Sequence, residues 1–255
     1  MSLSASWIDR FAGVERLYGS GSLLKLAQAR VAVIGVGGVG SWAAEALARS
    51  GVGAIEMIDG DEVCISNTNR QLHALVDTHG RPKVAVMAER LRAINPEAEI
   101  VAHADFLTRA NRLEQLDRRL DVVLDACDAF RVKVETIVHC RRHKLPLITV
   151  GSAGGRMDAT QIRVRDLART EQDALLSLIR KKLREEFAYP RNPKRYFGVR
   201  AVYSLENLSA PQLCASEESG RLDCGGGLGS ATHITGAFGF VAVGEVLRRL
   251  LQRAP

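Results

Sequence analysis

RVAVIGVGGVGSWAAEALAR, residues 30–49, decides the fold. Its opening, RVAVIG (30–35), is a short β-branched run of the kind buried in a parallel sheet. Gly35, Gly37, Gly38 and Gly40 come at once, and residues 38–49 are patterned as a helix. Glycines at such a turn let backbone N–H groups approach a phosphate, and the helix N-terminus adds partial positive charge. Asp59 closes the next apolar run, AIEMID (54–59), where a carboxylate can bind ribose hydroxyls. These features together read as a nucleotide site. Alone they suit a dinucleotide dehydrogenase, with a purely structural glycine turn as the weaker reading.

Outward from this unit, strands and helices keep alternating. A helix opens at Pro82, followed by EIVAHA, a helix across residues 109–119, and VVLDA (122–126). Another helix runs to His143, and PLITV ends at Val150. The alternation predicts an α/β fold, a doubly wound, Rossmann-like and mainly parallel sheet. Beyond Gly151 the character changes. GSAGG is a flexible crossing and QIRVRD a further strand. Residues 171–187 form an amphipathic helix with Leu175, Ile179, Leu183 and Phe187 at four-residue spacing. A basic loop, a Gly-rich turn (224–229) and an apolar terminal helix complete the chain. Residues 1–150 are therefore read as an ATP-binding lobe with an N-terminal arm. Residues 151–255 are read as an extension completing the same domain, for substrate binding and dimerisation.

Composition narrows the function classes. The 255 residues are 46% hydrophobic and 25% charged, which argues against disorder, collagen or a coiled coil. Five cysteines without a C-x-x-C pair argue against a disulfide framework or a four-thiolate zinc site. MSLSASWIDRF has no basic-then-apolar leader, so a cytoplasmic setting is expected. LGSATHITGAFGFVAVGEV (228–246) is long enough to span a membrane but carries His233, Glu245 and four glycines. A buried helix is the favoured reading, with peripheral membrane association through it left open.

The loop after Asp59 turns the reading away from a dehydrogenase. From Asp61 to Gln71 it gathers Asp61, Asn67, Asn69 and Arg70. A guanidinium forks onto phosphate oxygens, and amides donate to phosphate or ribose. Lys83 stands on the first turn of a helix, suited to a β- or γ-phosphate. Asp125 and Asp128 end a strand at the edge where such sheets bind ligands, and a carboxylate there can hold Mg2+. The set suits a triphosphate. His139 and His143 share a helix face at i, i+4 spacing and, lacking a third ligand, read as a solvated basic face. Cys64 and Cys127 read as packing residues, and Cys224 as a small residue in its turn rather than an acceptor thiol.

GVGGVG, IDGDEVCISNTNRQ, GRPKV, INP (94–96) and LDACDAFRVK together resemble the ThiF/MoeB-like superfamily of adenylating enzymes, relatives of the ubiquitin-activating enzymes. That resemblance implies attack of a carboxylate on the α-phosphate of Mg·ATP, giving an acyl-adenylate. It implies that Gly38 and the loop glycines hold phosphates and that Asp59 binds the ribose. Asn67, Arg70 and Lys83 would hold the triphosphate, with Asp128 the essential carboxylate near Mg2+. It further implies a homodimer whose site is completed by an arginine from the other subunit's N-terminal arm, Arg16 before Arg10. A bound monovalent cation, Na+ or K+, stays open.

RFAGVERLYG, SNTNRQLHAL, CRRHKLPLITVGSAGGRMDATQI, LDCGGGLGSATHIT and GAFGFVAV extend the resemblance over nearly the whole chain. They are similar to the subgroup of tRNA threonylcarbamoyladenosine dehydratases. There, ATP activates the threonyl carboxylate of a modified adenosine beside the anticodon, and the side chain cyclises with net loss of water. Ring closure within the substrate needs proximity rather than a protein thiol. The alternative is adenylation of the C-terminus of a ubiquitin-like sulfur-carrier protein, whose activating enzymes commonly have the C-x-x-C pairs missing here. A nucleotide-sensing adaptor is the non-enzymatic alternative. The subgroup's association with a cysteine desulfurase system adds a sulfur-transfer partner to the expectations.

Charge points the same way. The net charge is +6, and residues 151–200 hold 12 Lys+Arg against 6 acids, so the excess lies in that stretch. Arg180, Lys181, Lys182, Arg184, Lys194 and Arg195 are the expected tRNA grip. Tyr189, Tyr196 and Phe197 among them are expected to stack on unpaired bases.

Overall fold

The computed structural model describes residues 3–192, 194–207 and 228–252. Helices α1 (Ala5–Tyr18) and α2 (Ser22–Gln28) precede β1 (Arg30–Ile34), α3 (Gly38–Arg49) and β2 (Ala54–Ile58). Next come α4 (Lys83–Ile94), β3 (Glu99–His103), the single turn α5 (Arg112–Gln115) and β4 (Val122–Asp125). The rest comprises α6 (Phe130–His143), β5 (Leu147–Val150), β6 (Ile162–Asp166), α7 (Ala174–Glu186), β7 (Arg200–Ser204) and α8 (Thr232–Leu251). The seven strands form one sheet in the order β3-β2-β1-β4-β5-β7-β6, parallel except for the β6–β7 pair. The predicted mainly parallel, doubly wound sheet is what forms. β2 and β4 flank β1, so the strand order reverses there, and the crevice beyond its carboxyl end is where such sheets bind ligands.

Burial explains the strands. β2, β4 and β5 are buried throughout and β1 is buried from Val31 on, as expected for strands covered on both faces. α8 buries Ile234, Phe238, Ala242, Val246 and Leu250, one stripe at four-residue spacing, in the main core. It lies close against α3. A Cβ on Gly239 would stand 2.8 Å from Val39 O and 3.1 Å from the Ala43 amide nitrogen, so glycine permits this approach. Because that stripe covers α3 and the sheet, membrane association through this helix is not borne out. No helix among the described residues is long and apolar enough to cross a membrane.

Three local readings change. The helix expected over 109–119 shrinks to α5, because short polar side chains capture the backbone on both sides. Asn111 Oδ1 accepts from the Thr108 amide at 2.7 Å, and Asp117 Oδ1 accepts from the Arg119 amide at 2.8 Å. β7, RAVYS, falls in the stretch read as a basic loop; Ala201 to Ser204 are buried between β5 and β6. The N-terminal arm is helical. Ser4 caps α1, Trp7 and Phe11 bury against Leu23, and Glu15 caps α2 by accepting from the Leu23 amide at 2.8 Å. Asp173 caps α7, its Oδ1 accepting from the Leu176 amide at 2.8 Å. It buries Leu176, Ile179 and Leu183, leaving Leu175 and Phe187 half-buried. Cys214 and Cys224, with most of the Gly-rich turn, lie outside the described residues.

Candidate functional site

The glycines of the β1–α3 turn divide into two kinds. Gly35 has φ +79°, and a Cβ there would stand 2.8 Å from the Cys127 backbone. A Cβ on Gly40 would lie 1.8 Å from Gly35 O. These two set the shape of the turn. Gly37 and Gly38 line its mouth: the nearest atom to a Cβ on Gly37 is Gln71 Nε2 at 3.8 Å, and Gly38 faces Thr235 and Arg70. No side chain caps the start of α3, so its first-turn amides are oriented for an anion. Asp59 braces the turn from the end of β2. Its Oδ2 accepts from the Val36 amide at 2.6 Å and its Oδ1 from the Asp61 amide at 2.9 Å.

The loop after β2 brings the cations. Asn67 is buried and its Oδ1 accepts from the Cys64 amide at 3.1 Å, closing a short 3-10 turn. Arg70 Nη1 donates to Ser66 O at 2.7 Å and to Asn69 Oδ1 at 2.9 Å. The loop is docked on the start of α8. Asn69 Nδ2 donates to Ser230 O at 2.8 Å, and Trp42 Nε1 and Thr235 Oγ1 both donate to Arg70 O at 3.2 Å. Asn69 thus has its amide engaged in holding the loop. Lys83 is buried at the start of α4, and its Nζ donates to Asp61 Oδ2 at 2.8 Å.

Two residues here escaped the sequence reading. Gln71 is buried with Oε1 lacking a partner, beside Gly37. His73 is 1% exposed with neither ring nitrogen hydrogen-bonded. Burial, and then the Lys83 charge, push its pKa down to about 4, so it is neutral near pH 7. Only their adjacency to NR in NRQLH (69–73) could have singled them out.

The two aspartates read as a pair are separated. Asp125 is fully buried: Oδ2 accepts from Lys133 Nζ at 2.8 Å and from Thr149 Oγ1 at 2.7 Å. Oδ1 accepts from Cys127 Sγ at 3.1 Å. Asp125 is thus a structural ion-pair member and has no free oxygen facing solvent. Asp128, three residues on, is exposed with no hydrogen bond or ion pair to another described residue. Burial, and then Asp125, push the Cys127 thiol well up, which leaves it a packing residue. His139 is buried, not part of a solvated face; its Nε2 donates to Leu116 O at 2.9 Å. No cluster of three or more His, Cys, Asp or Glu able to hold a metal occurs among the described residues. Mg2+ needs no such cage, since one carboxylate and substrate phosphates suffice.

Arg16 is exposed near the end of α1. α1 packs at the opposite end of α3 from the glycine turn, with Phe11 against Gly51. Twelve residues of α3, about 18 Å, separate the two ends. The expected tRNA grip is broken up. Arg180 is half-buried and donates to Thr170 Oγ1, and Lys182 pairs with Glu186. Arg184 lies over the Phe197 ring at 5.2 Å, and Phe197 is a core residue, 1% exposed. Tyr189 packs edge-on against it at 5.0 Å. Phe197 and Tyr189 are therefore unavailable for base stacking as they stand, because the core needs their apolar surface. Lys181, Lys194, Arg195 and Tyr196 stay exposed.

The cradle fits a nucleoside triphosphate: glycine amides at a helix start, the Arg70 and Lys83 cations, an unpartnered Gln71 oxygen and an unpaired Asp128 share one edge of the sheet. Fold and site thus define an α/β nucleotide-binding protein with its phosphate cradle at the switch point. The chain belongs to the ThiF family, whose model matches residues 10–255. It is 47% identical to the tRNA threonylcarbamoyladenosine dehydratase of Escherichia coli, over 99% of this chain and 97% of that protein. The enzyme of that name from Haemophilus influenzae is 45% identical over 96% and 94%. A crystal structure of the E. coli dehydratase with ATP superposes with a TM-score of 0.89 at 46% identity, covering 98% of this chain and 97% of that one. The E. coli sulfur carrier protein ThiS adenylyltransferase is 37% identical over 51% of each chain.

Proposed function

We infer that this chain is an ATP-dependent tRNA threonylcarbamoyladenosine dehydratase that activates the threonyl carboxylate of its substrate and lets the side chain close on itself. The carrying observation is the reach of the similarity, at 47% identity over nearly both full lengths. The sulfur-carrier adenylyltransferase matches only half of the chain, so the carrier-protein reading accounts for less of it. The half-buried, up-shifted Cys127 agrees, since intramolecular ring closure calls for no protein nucleophile.

ATP turns a carboxylate oxygen, a poor leaving group as oxide or hydroxide, into one that departs attached to phosphate when the side chain closes. Gly37 and Gly38 let backbone amides approach its phosphates, and Asp59 stands at the ribose edge. Lys83 exchanges Asp61 for phosphate oxygens, while Arg70 forks onto others through the donors it does not use internally. Asn67 and Asp61 complete the rim. Asp128, unpaired and exposed, is the carboxylate for Mg2+, the attacking group needing charge neutralised around the phosphate. Arg16 lies on an arm packed at the far end of α3 from the glycine turn, which supports its serving the nucleotide of a second copy in a homodimer. Lys181, Lys194 and Arg195 are the remaining exposed members of the expected tRNA grip. The setting is cytoplasmic; a monovalent cation and a cysteine desulfurase partner are further expectations of this reading.

The test uses the purified protein, Mg·ATP and tRNA bearing threonylcarbamoyladenosine, with nucleosides weighed after digestion. Loss of one water's mass is expected, and unchanged mass with folded, ATP-binding protein overturns the reading. Asp128→Ala is expected to lower turnover by about four orders of magnitude, roughly 5 kcal/mol of transition-state stabilisation, with thermal stability unchanged.

A further inference from the structure

The opposite edge of the sheet carries a second feature. Where β5 and β7 begin and β6 ends, the last turns of α8 wall a cleft of about 780 Å³. Arg165, Arg169, Arg200, Arg248, Arg249 and Tyr196 line it. Its two acids are already engaged. Asp166 accepts from the Phe197, Gly198 and Val199 amides at 2.9, 2.7 and 3.1 Å. Glu245 accepts from Arg200 Nε at 3.1 Å and Arg248 Nη2 at 2.6 Å. Burial opposes its charge, but those guanidinium bonds outweigh it and hold its carboxyl below the usual range. Glu245 therefore acts as a brace that aims two guanidinia. Arg165 is held likewise by Glu171 at 3.1 Å. Arg249 is exposed and has no carboxylate partner among the described residues, and Arg169 sits 5.1 Å from the centroid of the exposed Tyr196 ring.

We propose that this arginine-lined cleft binds the phosphodiester backbone of the RNA substrate, a second contact site distinct from the nucleotide cradle. Five guanidinia against three engaged carboxylates, Asp166, Glu245 and Glu171, leave a positive surface, and planar guanidinia match phosphate oxygens. The exposed Lys194 and Arg195 continue it beyond Tyr196, making a track longer than a small anion requires. Tyr196, 64% exposed, offers a face to an unpaired base.

Distance gives the cleft a role the cradle cannot fill. Thr235 of α8 faces Gly38, and Arg248 lines the cleft. Thirteen residues of helix place the two sites about 20 Å apart. A structured RNA spans that length, so one molecule can present its reacting nucleotide at the cradle while its stem rests in the cleft. The grip thereby moves from α7, where Arg180, Lys182 and Arg184 are committed internally, to the sheet edge.

This inference rests on the RNA substrate of the proposed function, and the experiment keeps the two separable. Binding of full-length tRNA to the intact protein is measured by fluorescence anisotropy over a range of salt, alongside ATP binding and product mass. Arg169→Ala with Arg249→Ala is expected to weaken tRNA binding roughly tenfold and flatten the salt slope by about 1.4–1.8, two phosphate contacts' worth. ATP affinity should be unchanged. Arg249→Glu alone, at an exposed unpaired position, should weaken binding at least as much as Arg249→Ala and guards against misfolding of the double variant. If both variants bind tRNA as the parent does at every salt concentration, the cleft is not the RNA site, even where dehydration proceeds. If the parent binds tRNA through the cleft yet no water is lost, the proposed reaction fails and the cleft stands.

Discussion

The molecule contains two lysine–aspartate pairs with the same bond length and a buried lysine, whose surroundings differ at the aspartate. Lys133 Nζ meets Asp125 Oδ2 at 2.8 Å with both side chains fully buried. Lys83 Nζ meets Asp61 Oδ2 at 2.8 Å with the aspartate side chain 54% exposed. In the first, Thr149, Cys127 and the Asp125 carbonyl fill the remaining positions, so no ligand can enter without stranding a buried charge. In the second, water can replace the lysine at Asp61 at small cost, which frees the lysine for phosphate. The difference is one of exchangeability: an ion pair is part of a binding site when one partner has somewhere else to go.

The comparison breaks most directly at Asp125. Asp125→Ala leaves Lys133 buried and unpaired, and is expected to cost about 3–5 kcal/mol of stability. Urea unfolding measures it, and a loss under 1 kcal/mol would show that the buried pair is not structural. The next effect concerns His73, beside Lys83. Its folded pKa of about 4 lies below the unfolded value of 6.5. Between those values the unfolded chain binds a proton that the folded chain refuses. Stability is therefore full above pH 6.5 and falls as pH drops toward 4, by up to about 3 kcal/mol. His73→Gln should flatten that dependence in urea titrations at pH 7.5, 5.5 and 4.5, and an equally steep fall in the variant would move its origin elsewhere. The smallest effect falls on the exchangeable pair. Lys83→Ala should raise the KM for ATP by about ten- to a hundredfold, 1.4–2.7 kcal/mol, and change stability by about 1 kcal/mol or less. A stability loss as large as that of Asp125→Ala would erase the distinction.

Much of the fold was legible because its strands are short apolar runs bounded by glycine and proline. β1, β2, β4 and β5 need no knowledge of their neighbours to be recognised, since burial on both faces leaves a continuous hydrophobic signature. β7 was not legible, because Arg200 and the basic residues before it mask a run of only four buried residues. The expected helix over 109–119 failed for a different reason: Asn111 and Asp117 accept from the amides of Thr108 and Arg119 and so draw the neighbouring backbone out of the helix. At the site, the residue types of the cradle were readable from motif order. Gln71 and His73 were not, since their interest lies in having no partner while buried, a property no spacing encodes.

By itself the sequence determined the alternation of strands and helices, the phosphate-binding turn and the residues grouped after Asp59. Those features obey local rules: hydrophobic period, glycine at a strand–helix turn, and proline at a helix start. Only the tertiary structure decided which residues of a kind do which work. It put Asp125 in the core and Asp128 in solvent, three residues apart, because β4 ends between them. It turned Arg180 and Phe197 inward, and it gathered Arg165, Arg200 and Arg248 from three separate elements into one cleft. Burial and charge clustering depend on which distant elements meet, and short-range pattern carries no record of that meeting.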